Sequence, residues 1–163
     1  MSSPVSLRTA VPPFEGLGEA AGPAYAYTRD PLSVMQVNVG RLCNLSCRHC
    51  HVEAGPGRTE IMGRPVMEAC LSVLREHAFD ALDITGGAPE MNPHFRWFVA
   101  EAGKLGRRII VRTNLVILLE PGYEDIPRLF RDHGVEVVCS LPHYTRKNTD
   151  RMRGDRVFER SIQ

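Results

Sequence analysis

Short apolar strands alternate with helical segments from residue 34 onward, and this alternation constrains the fold more than any other feature of the sequence. Apolar runs predict four strands, at 34–39, 81–85, 108–113 and 135–141. Helical spacing predicts helices after Pro65, from Pro93 behind an Asn92 cap, over 124–133, and from about Asp155. Such alternation is typical of parallel βαβ units with right-handed crossovers. We therefore expect an α/β fold with about four parallel strands and flanking helices.

Polar motifs follow each predicted strand at its carboxyl end. They are, in chain order, the cysteine loop 43–50, Gly86-Gly87, Thr113-Asn114 and Ser140. Parallel α/β folds bind their ligands in loops at the carboxyl ends of the strands, where these motifs would meet. His143 and Tyr144 fall at the same rim and are candidate substrate contacts or catalytic groups. The sequence thus predicts one site at this edge of the sheet.

The bulk composition bounds the class of protein. The 163 residues are 43% hydrophobic and 24% charged, with a formal net charge of +1, which predicts one globular domain without a general attraction to nucleic acid. No stretch reaches the roughly 20 apolar residues of a membrane helix, and the N-terminus lacks the pattern of a secretory signal. We expect a cytoplasmic protein without nucleic-acid or membrane partners.

Residues 1–31, rich in Pro, Gly and Ala, are expected to form a loosely ordered arm before a core domain at 32–163.

Three of the five cysteines, Cys43, Cys47 and Cys50, lie within eight residues in the spacing C-x3-C-x2-C. An odd number of cysteines argues against a closed disulfide framework, and clustered thiols without an export signal are more often metal ligands. One short loop can place three thiolates around one face of a cubane iron–sulfur cluster, because each thiolate binds a different iron. The fourth iron then has no protein ligand, as in catalytic metal sites that keep an open position.

Three other interpretations of these thiols stay open. A zinc site would need a fourth ligand, which His49 or His51 could supply. An electron-transfer cluster would use a fourth cysteine, Cys70 or Cys139, although both lie on apolar faces and are expected to be small core residues. The cysteines could also be free thiols. The mixed-charge run 146–160 is expected to be a solvated loop and helix face, with anion binding as the alternative.

The cysteine spacing after the first strand resembles the signature of the radical S-adenosylmethionine (SAM) superfamily. The resemblance implies that the three cysteines hold a [4Fe–4S] cluster whose remaining iron is chelated by the amino and carboxylate groups of SAM. The reduced cluster would cleave SAM to methionine and a 5′-deoxyadenosyl radical. A set of SAM contacts is also implied, at a GGE-like motif and at the next two strand ends: Gly86, Gly87, Pro89, Glu90, Thr113, Asn114 and Ser140. The sequence departs from the family pattern at His49, where an aromatic residue is usual, and at Ala88, where an acidic residue is usual.

Longer segments resemble the arsenosugar-biosynthesis radical SAM proteins, from about residue 34 to the end. They are VNVGRLC at 37–43, CHVEAGP at 50–56, TGGAPE at 85–90, VRTNL at 111–115 and SLP at 140–142. This resemblance implies that the adenosyl radical adds to the arsenic of a dimethylated trivalent arsenical and forms a carbon–arsenic bond. It implies a small-molecule substrate and an electron donor such as flavodoxin or ferredoxin. His143 stands where that family is expected to have a cysteine.

The usual superfamily domain is a partial (β/α) barrel of six strands. With about four strands, 32–163 is expected to be an incomplete core domain, truncated before the remaining barrel strands, and a second chain could complete it. An open sheet would expose its last edge and one side of the site. The competing functions are a radical SAM enzyme with another substrate and a non-catalytic module that binds a metal or a cluster.

Overall fold

The computed structural model describes residues 32–163, and the predicted arm at 1–31 lies outside the described residues. Four strands and five α-helices alternate along this part of the chain. In chain order they are β1 (Val34–Asn38), α1 (Arg64–Glu76), β2 (Ala81–Thr85), α2 (Phe95–Gly103), β3 (Arg108–Thr113), α3 (Ile126–Asp132), β4 (Glu136–Cys139), α4 (Arg146–Arg153) and α5 (Val157–Ile162). Short 3₁₀ turns at Pro89–Met91 and Val116–Leu119 follow β2 and β3. Among residues 32–163, no helix combines the length and the hydrophobicity that crossing a bilayer requires.

The strands form one parallel sheet in the order β1-β2-β3-β4. A row of aligned residues crosses it, with Val37 beside Ile84, Ile84 beside Val111, and Val111 beside Val137. Each connection between neighbouring strands contains a helix, because parallel pairing needs a long crossover. The predicted α/β class, with four parallel strands and flanking helices, is confirmed.

One face of the sheet packs against α1, α2 and α3 and forms the main hydrophobic core. Strand side chains on this face, such as Val37 and Ile84, are buried. Phe95 and Phe98 of α2 are fully buried, and the Phe95 ring meets Phe130 of α3 edge-on, with 6.2 Å between ring centroids. Burying an apolar side chain of this size contributes about 1.5–3 kcal/mol. This packed face therefore fixes the strands whose ends carry the polar motifs.

The turn before α2 is tied to the end of β1 by one buried side chain. Asn92 Nδ2 donates hydrogen bonds to the carbonyl oxygens of Val39 (2.9 Å) and Met62 (3.0 Å), and Asn92 Oδ1 accepts the backbone N–H of His94 (2.8 Å). The helix itself begins at Phe95, three residues after the predicted cap. Asn92 therefore organises the approach to α2 rather than its first turn.

Other predicted boundaries also differ from the structure. The helix predicted at 124–133 spans Ile126–Asp132, and the strand predicted at 135–141 spans Glu136–Cys139, which pairs with β3 alone. In place of one helix from about Asp155 there are two, α4 and α5, separated by residues 154–156. The first of these was not predicted, because its residues are almost all polar and show no apolar stripe.

The two cysteines outside the cysteine loop differ in burial. Cys70 of α1 is partly buried against the main core, as expected for a small core residue. Cys139 is exposed, so the expectation that it also belongs to the core is wrong. It lies on β4, at the edge of the sheet, where a strand has a neighbour on one side only.

Candidate cofactor site

A cavity of about 300 Å³ lies at the carboxyl ends of the strands. The predicted site residues that line it are Cys43, Cys47, Cys50, Gly86, Gly87, Thr113, Asn114 and Ser140. Arg112, Arg153, His49 and His51 line it as well. Four other predicted residues are not among its lining: Pro89, Glu90, His143 and Tyr144. The fold thus brings the cysteine loop, the glycine pair and the later strand ends to one place, as parallel strands require.

Backbone hydrogen bonds hold the cysteine loop against the rest of the fold. The N–H of Cys43 donates to the carbonyl of Gly55 (3.2 Å), and the N–H of Gly55 donates back to Arg41 (3.1 Å). Further along, the N–H of Arg48 donates to the carbonyl of Met152 at 2.9 Å. The loop is therefore anchored both to the segment that follows it and to α4.

Two of the three loop sulfurs accept hydrogen bonds from backbone N–H groups. Leu45 N lies 3.4 Å from Cys43 Sγ, and Ala54 N lies 3.3 Å from Cys50 Sγ. Burial raises the pKa of the Cys43 thiol, and the hydrogen bond from Leu45 opposes that effect. N–H groups aimed at sulfur stabilise the thiolate, which is the form that binds metal.

The glycine pair allows the turn after β2 to approach the cysteine loop closely. A Cβ atom on Gly87 would lie 2.4 Å from the carbonyl oxygen of Leu42 and 2.9 Å from that of Arg41. At Gly86 the φ angle is +152°, and a Cβ there would lie 2.8 Å from the carbonyl oxygen of Gly40. Both positions exclude a side chain, so the glycines determine how the cysteine loop sits on the sheet.

Thr113 and Asn114 both line the cavity, and Asn114 contacts the cysteine loop. Asn114 is buried, and its Nδ2 donates to Asn44 Oδ1 at 2.8 Å and approaches Cys43 Sγ at 3.7 Å. Thr113 Oγ1 accepts the backbone N–H of Leu115 at 3.2 Å. The amide of Asn114 therefore faces the first cysteine of the loop.

Glu90 is a buried carboxyl group that is not part of the cavity lining. It is 1% exposed, and neither of its side-chain oxygens has a hydrogen-bond partner within the described part of the chain. Burial raises the pKa of this carboxyl, and the nearby Thr113 hydroxyl offsets the effect only in part, without reaching hydrogen-bond geometry. Burial is the main cause of the raised pKa of the Cys43 thiol, and the nearby Glu90 carboxylate makes a smaller contribution in the same direction.

Arg153 of α4 is a buried cation that lines the cavity. Its Nη2 donates to Ser140 Oγ, while its Nε and Nη1 have no partner among residues 32–163. Burial raises the pKa of Cys47, and the Arg153 guanidinium opposes that effect. The expectation that 146–160 is a solvated face is wrong for this residue. A run of mixed charges gives no local signal of which arginine turns inward.

His143 and Tyr144 stack on each other away from the cavity lining. Their rings lie 4.4 Å apart, and Tyr144 is 84% exposed. His143 Nδ1 accepts the backbone N–H of Thr145 at 3.0 Å, and its Nε2 lies 3.1 Å from Asn148 Nδ2. Their role as substrate contacts stays a prediction.

The donor set fits a cubane cluster. Within the described residues, no three His, Cys, Asp or Glu side chains converge closely enough to hold a single metal ion. A cubane does not need such convergence, because each thiolate binds a different iron. Cys43, Cys47 and Cys50 line the cavity, and so does Arg153, whose buried Nε and Nη1 have no hydrogen-bond partner among residues 32–163. An iron–sulfur cluster and an adjoining anionic ligand are both compatible with these groups.

A parallel α/β sheet that carries three cysteines and a glycine turn on its carboxyl rim defines a cofactor-binding α/β protein. The chain belongs to the radical SAM superfamily, whose family model matches residues 37–163. The cofactors of this superfamily are a [4Fe–4S] cluster and SAM, as expected from the motifs.

The curated relatives of this chain are named as probable GTP 3′,8-cyclases and not as arsenosugar-biosynthesis proteins. A probable GTP 3′,8-cyclase of Saccharolobus islandicus (strain M.14.25 / Kamchatka #1) is 23% identical over 134 residues, which are 82% of this chain and 42% of that protein. A probable GTP 3′,8-cyclase of Saccharolobus solfataricus is 22% identical over the same length, again 82% of this chain and 42% of the relative. The chain thus spans less than half the length of these relatives. The comparisons support the superfamily and not the arsenosugar group within it.

Solved structures agree on the fold. Streptococcus suis SuiB bound to S-adenosylmethionine matches with a TM-score of 0.66 and 18% identity, over 81% of this chain and 30% of that chain. Native anSMEcpe with bound AdoMet matches with a TM-score of 0.60 and 17% identity, over 81% of this chain and 39% of that chain. At these identities the likeness is one of fold.

Proposed function

We propose that this chain is the SAM-cleaving part of a radical SAM enzyme. Cys43, Cys47 and Cys50 would hold a [4Fe–4S] cluster, and SAM would occupy the adjoining cavity. The single observation that carries the proposal is that these three thiols, the Gly86-Gly87 turn and Ser140 line one cavity of about 300 Å³. When bound and reduced, the cluster supplies one electron that cleaves SAM to methionine and a 5′-deoxyadenosyl radical.

Arg153 is the side chain best suited to the carboxylate of SAM. Its guanidinium is buried, lines the cavity, and keeps two nitrogen donors without a partner among the described residues. Charge-assisted hydrogen bonds from arginine to a carboxylate are among the stronger polar contacts in proteins. Its bond to Ser140 Oγ holds the guanidinium toward the cavity. We assign Arg153 to the binding of SAM.

Asn114 lines the cavity and its amide faces Cys43 Sγ, and the other predicted contacts divide into two groups. Gly86, Gly87, Thr113 and Ser140 line the cavity and can offer backbone groups or a hydroxyl to SAM. Pro89 and Glu90 lie in the 3₁₀ turn after β2 and do not line the cavity, so the structure offers no direct route from their side chains to SAM. We retain the first group as SAM contacts and treat the second as support for the cysteine loop.

The substrate proposal rests on the longer segments that resemble the arsenosugar-biosynthesis proteins. On that resemblance, the adenosyl radical would add to the arsenic of a dimethylated trivalent arsenical. The adduct would then lose one proton to water and one electron to the oxidised cluster to give a pentavalent arsine oxide, and flavodoxin or ferredoxin would supply the electron for the initial reduction. His143, which stands where a cysteine is expected in that group, could not contribute a thiol to arsenic. The arsenical is therefore proposed as substrate without a thiol at that position.

The first experiment tests the cofactors. Anaerobically reconstituted protein should be brown, contain iron and sulfide near four each per chain, and form 5′-deoxyadenosine from SAM on reduction with dithionite. Replacing any of Cys43, Cys47 or Cys50 by Ala should abolish the cluster, whereas Cys70→Ala should keep it. A colourless protein that binds zinc would overturn the proposal, and a cluster without SAM cleavage would assign a non-catalytic module.

A second experiment tests the SAM contact. Arg153→Gln should weaken SAM binding about 10- to 100-fold, the effect of losing a hydrogen-bonded charge, with cluster content unchanged. Arg151→Gln is the matched control, because Arg151 lies in the same helix but is exposed. Equal SAM affinity in both variants would remove Arg153 from the site.

A third experiment tests the substrate. Reconstituted protein is incubated with SAM, dithionite and dimethylarsinous acid, and products are analysed by mass spectrometry. The proposal expects an adduct of the deoxyadenosyl group with the dimethylarsenic unit. Formation of 5′-deoxyadenosine with no arsenic adduct would retain the radical SAM activity and reject the arsenical.

A further inference from the structure

We propose that Asn114 tunes the reduction potential of the cluster by donating an N–H···S hydrogen bond to Cys43. This inference rests on the proposed function, because Cys43 must first be a cluster ligand. It gives Asn114 the role of a positioning residue that acts through the cysteine, in place of the direct contact with SAM predicted from the sequence.

The geometry provides a donor for the sulfur. Asn114 Nδ2 lies 3.7 Å from Cys43 Sγ and 2.8 Å from Asn44 Oδ1. A side-chain amide carries two N–H bonds, so one can point to each acceptor. Asn114 and Cys43 are 7% and 6% exposed, which keeps water from replacing this contact.

The orientation of the amide is fixed by a backbone group. Asn114 Oδ1 accepts the N–H of Ile117 at 3.1 Å. Turning the amide over would leave that N–H unpaired and would place Oδ1 against Asn44 Oδ1, so that two acceptor oxygens would face each other. Since a backbone N–H can only donate, Nδ2 must be the atom that faces the sulfur.

The local backbone also holds Asn114 in place. The next residue, Leu115, has a φ of +64°, a conformation that residues with a Cβ adopt at an energetic cost. Its N–H is bonded to Thr113 Oγ1 at 3.2 Å, so the turn is closed on both sides of Asn114. Such a conformation persists only where surrounding contacts compensate for it, so the backbone next to Asn114 is held in one geometry.

The three sulfurs differ in the donors they receive. Cys43 accepts from Leu45 N and Asn114 Nδ2, and Cys50 accepts from Ala54 N. Among residues 32–163, Asn114 is the one side chain that donates a hydrogen bond to any of the three sulfurs. It is therefore the donor that substitution can remove while the backbone pattern is retained.

The physical effect follows from charge. Reduction adds one electron, taken from an external donor, to the cluster and its thiolates, and no bond is made or broken in that step. A hydrogen bond to a ligand sulfur stabilises the more negative, reduced form more than the oxidised form, and so raises the reduction potential. Removing the Asn114 donor should lower the potential and make the cluster harder to reduce.

The test is a redox titration of the reconstituted full chain without SAM, followed by electron paramagnetic resonance. Asn114→Leu removes the side-chain hydrogen bonds, and Asn114→Asp removes the donor but keeps an acceptor for Ile117. Both variants should lower the midpoint potential by at least about 59 mV, which for one electron is a tenfold decrease in the equilibrium constant for reduction. Asn44→Ala is the matched control. It removes the other acceptor of the Asn114 amide but leaves the N–H···S bond, so its shift in midpoint potential should be smaller.

Two results would overturn the inference. One is an unchanged midpoint in both Asn114 variants with normal cluster content. The other is an unchanged midpoint with weakened SAM binding, which would make Asn114 a SAM contact. If the wild-type chain holds no four-iron cluster, the proposed function itself fails, and that outcome is recognised before any variant is made.

A measurement on the wild-type sequence covers the case in which the variants do not fold. Protein labelled with ¹⁵N only at the side-chain nitrogen of asparagine should show a ¹⁵N hyperfine coupling to the reduced cluster. The same coupling should persist in Asn44→Ala, which leaves Asn114 as the labelled neighbour. Absence of the coupling in both proteins would reject the hydrogen bond.

Discussion

The Arg112 guanidinium binds both oxygens of the Asp83 carboxylate. Arg112 Nε lies 3.0 Å from each oxygen, and its Nη2 lies 2.8 Å from Oδ2. Gln36 Nε2 donates to the same Oδ2 at 2.9 Å, so one carboxylate joins β1, β2 and β3 on the open face of the sheet. Asp83 is 3% exposed, whereas Arg112 reaches the cavity. Arg112 therefore connects this polar network across three strands to the cofactor site.

Asp83→Asn should destabilise the protein by about 1–3 kcal/mol at pH 7, because it leaves buried hydrogen bonds to a cation unmatched. Burial opposes ionisation of Asp83, but the hydrogen bonds from Arg112 and Gln36 outweigh it and lower the pKa. The stabilisation is thus present above the unfolded Asp pKa of about 3.9 and is lost as pH falls through the lower folded pKa. Urea denaturation from pH 7 to pH 3 should show the difference from wild type shrinking. Exposed Asp80→Asn is the control, and a difference that does not change with pH would contradict this prediction.

Gly87→Ala should destabilise the protein by about 1–3 kcal/mol and displace the cysteine loop, since the added Cβ has no space. It would meet backbone carbonyl oxygens of Leu42 and Arg41 at 2.4 and 2.9 Å, and backbone cannot move aside as a flexible side chain can. Gly57→Ala is the matched control, because nothing lies within 4 Å of a Cβ at that position. Thermal unfolding and iron content measure the two effects. Equal iron loading and stability in the two variants would show that the close approach is not required.

Asn92→Ala should cost about 1–3 kcal/mol, because the carbonyl oxygens of Val39 and Met62 lose their side-chain donor while buried. Asn148→Ala removes a side chain whose hydrogen bond within the described residues is the part-buried one to His143, and its cost should be about 1 kcal/mol or less, the net value of a typical hydrogen bond. Chemical denaturation of both variants provides the comparison. A similar small cost at both positions would show that Asn92 does not hold the turn before α2.

Glu90→Gln should alter how the stability of the cluster-free protein depends on pH. Burial raises the pKa of Glu90 in the folded state above its unfolded value of about 4.3. The folded state therefore holds the proton more tightly, so the free energy of unfolding falls as pH rises from about 4.3 to the folded pKa. The glutamine variant has no carboxyl to deprotonate at this position, so this fall in stability is absent. Its free energy of unfolding relative to wild type should therefore increase from pH 4 to pH 8. Exposed Glu68→Gln is the matched control, and a difference between Glu90→Gln and wild type that does not change with pH would refute the assignment.

The sheet and the gathering of motifs could be predicted because both follow from local patterns. Apolar runs mark strands, and parallel order then places every strand end at one edge. The predictions for Cys43, Gly86 and Ser140 as neighbours required no knowledge of side-chain packing. What the pattern could not supply was the partner of each polar atom.

Arg153 shows why the rest of the site was missed. Its helix is polar on all sides, so its inward direction depends on contacts with Ser140 and the cysteine loop that are formed only in the folded chain. The contact between Asn114 and Cys43 joins residues 71 positions apart, and a distance of this kind leaves no local trace. Exposure of Cys139 follows from its place at the sheet edge, which strand propensity does not report.

The main-chain hydrogen bond from Arg48 to Met152 joins the middle of the cysteine loop to α4. Iron taken up by the flanking thiols should immobilise that loop, and its attachment carries the restraint into the helix. Amide hydrogens in 146–153 should therefore exchange with deuterium more slowly once metal is loaded. Hydrogen exchange in α4, which is far from the cysteines in sequence, would then report whether the cluster has assembled.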